Sequence, residues 1–140
     1  MRQRSTLLFH AGLLHAGLAC AALASAQALE PSMNYTLQCM GCHTPDGSAV
    51  PDRVPAIRTT LLPFAGMPAG RQFLVQVPGA AQSTLSNAEL AELLNWMIEN
   101  LSIDPGRFTR FTEKEVAGYR KQVIVDVRTT RKRLLAAMSP

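Results

Sequence analysis

The sequence predicts an all-α fold, and three stretches carry that expectation. Ser86 followed by Glu89 forms a capping box, and Leu90, Leu93, Leu94, Met97 and Leu101 then recur at helical spacing, so a helix is expected from about Asn87 to Leu101. Pro31 and Ser32 suit a helix start, which gives a short helix from Pro31 to about Cys42 with Tyr35 turned inward. Thr112-Glu113-Lys114-Glu115 is a second capping box, and Val116, Tyr119, Val123, Val127 and Leu134 continue it as an apolar stripe. The stretch Phe73 to Val77 fits a strand or a helical turn equally well.

Between these elements the chain is rich in breakers. Prolines and glycines are scattered from Pro45 to Gly70, so residues 44–72 are expected to be loop, and a loop that long normally wraps around something. At the N-terminus, Arg2 and Arg4 precede a mostly apolar run from Leu7 to Leu23 and the small-residue pattern Ala24-Ser25-Ala26. Residues 1–26 therefore read as a secretory signal peptide cleaved after Ala26, which makes the mature chain periplasmic. An uncleaved anchor and a lipid on Cys20 are the alternatives. Residues 27–105 and 106–140 then differ in charge: three basic residues against seven acids in the first, a net of −4, and nine against three in the second, a net of +6. The chain shows no internal repeat, no Ser-His-Asp set, no paired carboxylates at useful spacing and no Gly-rich phosphate loop, and nothing in it points to nucleic acid.

The densest chemistry lies at Cys39-Met40-Gly41-Cys42-His43. A C-x-x-C-H run is the pattern by which a protein holds haem covalently, with two thiols within about one helical turn and an imidazole placed to reach the iron. A thioredoxin-like redox pair and a zinc site compete for the same residues, but the first wants a βαβ setting and the second about four ligands. Removal of residues 1–26 leaves Cys39 and Cys42 as the only cysteines and His43 as the only histidine. In an oxidising compartment two thiols this close pair unless something consumes them, and haem attachment consumes both.

Over roughly Pro31 to Leu101 the sequence resembles the class I cytochromes c. Tyr35 lies four residues before the first haem cysteine, Gly47 follows in the next loop, Pro55 comes twelve residues after His43, and the closing helix carries Trp96. The resemblance implies a cytochrome c-like fold wrapped round one covalent haem c, here with an extra C-terminal helix. It assigns Cys39 and Cys42 to the thioether bonds and His43 to the axial position, with the Pro55 carbonyl orienting the imidazole. Two features depart from the family. Pro31 stands where a glycine usually lets the first and last helices cross, and the loop Val77 to Leu85 lacks the methionine that usually provides the sixth ligand. Met67, between Gly66 and Pro68, is the first candidate for that ligand and Met97, on the helix stripe, the second; an open or water-bound iron is the third reading.

The function expected on this basis is a periplasmic carrier of single electrons between redox partners such as a dehydrogenase, an oxidase or another cytochrome, rather than an enzyme. A haem subunit of a larger dehydrogenase or oxidase, or a gas- or peroxide-binding protein with an open sixth site, are the rivals. Leu37, Ile57, Phe73 and Leu94 are expected against the haem face, and Arg53, Arg58 or Arg71 near its propionates. Residues 106–140 allow two readings. In one the segment folds back through Phe108, Phe111 and Tyr119 and adds stability. In the other Arg128, Arg131, Lys132 and Arg133 dock on an acidic partner or an anionic membrane, and a chain ending at Pro105 keeps its haem environment.

Overall fold

A computed structural model describes residues 28–51 and 54–138. The signal peptide expected over residues 1–26, Cys20 and Arg53 lie outside the described residues. Seven helices follow in order: α1 (Pro31–Gln38), α2 (Leu61–Ala65), α3 (Pro68–Gln76), α4 (Pro78–Ala81), α5 (Asn87–Leu101), α6 (Glu113–Tyr119) and α7 (Val127–Ala136). Among the described residues the only β pairing is an isolated bridge between Val50 and Val54, so the described part of the chain is all-α. No helix of the described residues is long and apolar enough to cross a membrane.

Helix α5 has the bounds its sequence predicts. The Ser86 hydroxyl accepts the Glu89 N–H at 3.2 Å, and the Glu89 carboxylate accepts the Ser86 N–H at 2.8 Å, which closes the capping box. Leu90, Leu93, Leu94, Met97, Ile98 and Leu101 are buried along it. Helix α1 packs against α5, with the Tyr35 ring 5.7 Å from that of Trp96. Pro31 occupies the first turn of α1, where a missing N–H costs nothing, and serves as the helix start its sequence predicts.

The loop expected over residues 44–72 is helical from Leu61 onward, because the breakers there sit at helix ends. Pro63 lies in the first turn of α2, Gly66 caps its C-terminus, and Pro68 opens α3. Gly70 then lets α3 press on α2, since a Cβ at that position would lie 2.3 Å from the Phe64 carbonyl oxygen. Phe64 and Phe73 meet edge-on at 5.5 Å. The ambiguous stretch Phe73 to Val77 is thus helix, running to the C-cap of α3.

The helix expected from Thr112 onward is two helices. Thr112 caps α6 by accepting the Glu115 N–H at 3.3 Å, and Asp126 caps α7 by accepting the Thr129 N–H at 2.9 Å. Val123, expected in the apolar stripe, is instead exposed in the connection between them. Glu115 does not complete a capping box. Its carboxylate receives two bonds from the Arg71 guanidinium, both 2.6 Å, which is a stronger use of the charge. Arg71 also donates to the carbonyls of Ala65, Thr109 and Arg110 and stacks 3.9 Å over the Phe111 ring.

The seam between residues 106–138 and the rest is closed elsewhere too. Fully buried Asn95 donates to the Phe111 carbonyl at 3.1 Å and accepts its N–H at 2.7 Å. Arg120 donates to the carbonyls of Leu85 and Ala80, and Gln76 to that of Tyr119. Phe111, Val116 and Leu134 belong to the same buried core as Tyr35 and α5. The change of composition at Gly106 is therefore no break in packing.

Candidate functional site

The end of α1 sets the site. The Cys39 N–H donates to the Tyr35 carbonyl at 2.9 Å as the helix closes, and the His43 N–H donates to the Cys39 carbonyl at 2.9 Å, carrying the turn through the motif. The Tyr35 hydroxyl reaches past the motif to donate to the Thr44 carbonyl at 2.6 Å. Burial, with the nearby charges of Cys39 and Asp46, pushes that hydroxyl up to about 12, so it remains a donor. The loop beyond is held in turn by Asp46. Its carboxylate accepts from the Ser48 hydroxyl, the Ser48 N–H, the Thr44 hydroxyl and Arg58, and these hold its pKa down at about 2. Gly47 takes a φ of 70°, open to glycine, and its carbonyl accepts the N–H groups of Ile57 and Arg58. This brings the Ile57 side chain against the motif.

Cys39, Cys42 and His43 line one cavity of about 290 Å³. Ile57, Leu61, Leu74 and Val77 form one part of its wall, Leu90, Leu93, Leu94 and Met97 of α5 another, and Gly79, Ala80 and Ser83 a small-residue edge. The lining is almost wholly aliphatic, with Gln38 and Ser83 its polar side chains apart from the motif. That combination of an apolar bed and a few convergent polar groups is characteristic of a cofactor site.

The electrostatics separate the chemistries open to the motif. Burial pushes the Cys39 thiol up to about 11. It also sits at the C-cap of α1, the partially negative end of a helix, whereas redox-active C-x-x-C pairs have depressed thiols at helix N-termini. Both effects disfavour a Cys39 thiolate, and with it thioredoxin-like disulfide exchange. Among the described residues no group of three or more His, Cys, Asp or Glu side chains is arranged to hold a metal ion. Both cysteines are free thiols, Cys39 half-buried and Cys42 exposed. Burial lowers the pKa of His43, which keeps the imidazole neutral and able to ligate at neutral pH. Its Nδ1 is buried and makes no hydrogen bond among the described residues. The residues present fit a covalently attached haem: two free thiols, a neutral imidazole and an aliphatic bed at one place.

The other expected site residues divide. Met97 lines the cavity, whereas Met67 stands at the N-cap of α3 and is not among the lining residues. Ile57 and Leu94 line it; Leu37 is exposed and Phe73 packs on Phe64. Pro55 is exposed, and the bond expected from the His43 ring to its carbonyl is not formed. Arg58 pairs with Asp46 at 2.9 Å and Arg71 with Glu115, so both cations are committed to carboxylates of the chain. The edge made by Gly79, Ala80 and Ser83 was not expected from the sequence. Its signal is the run of small residues in the loop that lacks a methionine. No protein-family model, curated protein or solved structure matches this chain.

Proposed function

We propose that the chain is a small c-type cytochrome of the periplasm, which holds one haem through Cys39 and Cys42 with His43 as axial ligand and carries single electrons between redox proteins. The observation that supports this best is that both cysteines and the histidine of the motif line the same aliphatic cavity. Bound there, haem supplies a one-electron couple between ferric and ferrous iron. The chain's part is to fix and tune it. Neutral His43 donates a lone pair, and the α5 leucines with Ile57 and Leu74 exclude water, which favours the less charged state of the centre. Tyr35 ties α1 to Thr44 just beyond the motif, and the Gly47 carbonyl holds the following loop through Ile57 and Arg58.

For the sixth ligand we favour Met97, the methionine outside the motif that lines the cavity. A thioether there stabilises ferrous iron and raises the potential. An open sixth site is the second reading, since small side chains, Gly79, Ala80 and Ser83, are among the cavity's lining. A visible redox titration of the purified protein tests the carrier reading, which expects a reversible one-electron transition and slow carbon monoxide binding to the reduced form. Met97→Leu is expected to abolish the thioether-to-iron absorption band and to make carbon monoxide binding fast, while Met67→Leu leaves both unchanged. A wild-type protein that binds carbon monoxide promptly would replace the carrier reading with a gas-binding one.

A further inference from the structure

We propose that the connection between α6 and α7, together with the outer face of α7, is a peripheral docking surface for an anionic phospholipid bilayer. Val123 and Val125 are 88% and 97% exposed, while Ile124 between them packs against the core. The loop is therefore fastened at its middle with two aliphatic side chains held out in water. Around them the charge is of one sign. Lys121, Arg128, Lys132 and Arg133 are exposed and Arg131 is half-buried, against a single acid, Asp126, in residues 121–138. The ion pairs of the described residues are made by Arg58, Arg71 and Arg110, and none by these five cations. Asp126 caps α7, and Arg133 is the cation near enough to help hold its carboxyl low.

Helix α7 is seated for such a role. Leu134 is buried and Val127 and Met138 pack on the core, so this side faces the protein and Arg128, Lys132 and Arg133 face outward. Aliphatic side chains that enter the headgroup layer beside a cluster of basic residues are how peripheral segments hold an anionic membrane. An acidic protein would answer the charge alone. The two projecting valines, which contribute nothing to a purely ionic contact, favour lipid.

Co-sedimentation of the purified protein with vesicles tests this whether or not haem is bound, so its failure is separable from failure of the cytochrome reading. Binding is expected to mixed phosphatidylglycerol and phosphatidylcholine vesicles at about 0.15 M salt, to fade at about 1 M, and to be absent with phosphatidylcholine alone. Arg128→Gln and Lys132→Gln should each weaken it about fivefold. The double variant Val123→Ser, Val125→Ser should weaken it about tenfold with an unchanged circular dichroism spectrum. No binding to anionic vesicles, or equal binding to neutral ones, overturns the proposal. Retention on immobilised polyglutamate that depends on the cations but not on the valines, without vesicle binding, overturns it in favour of an acidic protein.

Discussion

The cavity beside α1 and the seam beneath α6 are two internal surfaces of the same core, built on opposite principles. At the seam, polar groups find partners: Arg71 makes five hydrogen bonds, and Asn95 is matched as donor and acceptor by Phe111. At the cavity the wall is aliphatic, and the reactive groups, two free thiols and a buried imidazole nitrogen, have no partner among the described residues. A satisfied polar seam fixes one arrangement of the backbone. An apolar cavity with reactive groups at its edge is instead shaped for a ligand. Changes at the seam should therefore cost stability, and changes at the cavity should cost chemistry.

The largest effect expected at the seam is that of ending the chain at Pro105. Phe111, Val116 and Leu134 leave the core, and Arg71 loses its carboxylate, two of its carbonyl partners and the Phe111 ring that covers it. Deleting buried side chains of this size costs about 2 to 5 kcal/mol each, which together rivals the roughly 5 to 15 kcal/mol of a typical domain. The truncated chain should show no cooperative thermal transition, and a sharp transition near that of the full chain would mean that the seam is not part of the core. Arg71→Ala is the smaller version. Removing one partner of a buried ion pair costs about 3 kcal/mol, and a lowered urea midpoint with unchanged slope is the expected reading.

Smaller again is the titration of Glu115. The Arg71 hydrogen bonds hold its carboxyl below the ordinary 4.5, so the folded chain binds fewer protons than the unfolded one there. The stabilisation is complete above pH 4.5 and is lost as pH falls through the lower folded pKa. Glu115→Gln should cost about 1.5 kcal/mol at neutral pH and should flatten this part of the acid limb of stability against pH. An acid limb identical to wild type would show that the pair carries no such weight.

The same contrast explains what was legible in the sequence. The helix Asn87–Leu101 could be bounded to the residue because its cap and its stripe are local signals. The motif Cys39 to His43 is local too, and so was its partner wall on α5, written as the apolar stripe. The seam was not legible. Arg71 and Glu115 are 44 residues apart in the chain, and each alone resembles a surface charge. Proline and glycine between 44 and 72 look the same whether they break helices or end them, which hid α2 and the start of α3. Val123 matched a helical period by spacing alone, and only the turn before Asp126 moves it to the surface.

Whether the cavity holds a covalent haem is tested most directly by the mass of the purified protein. Expressed with an export route and a haem-attachment apparatus, the chain should carry the mass of one haem that survives denaturation, and Cys39→Ser, Cys42→Ser should carry none. A wild-type chain recovered at its bare polypeptide mass, with Cys39 and Cys42 titrating as two thiols or joined as a disulfide, would contradict the account.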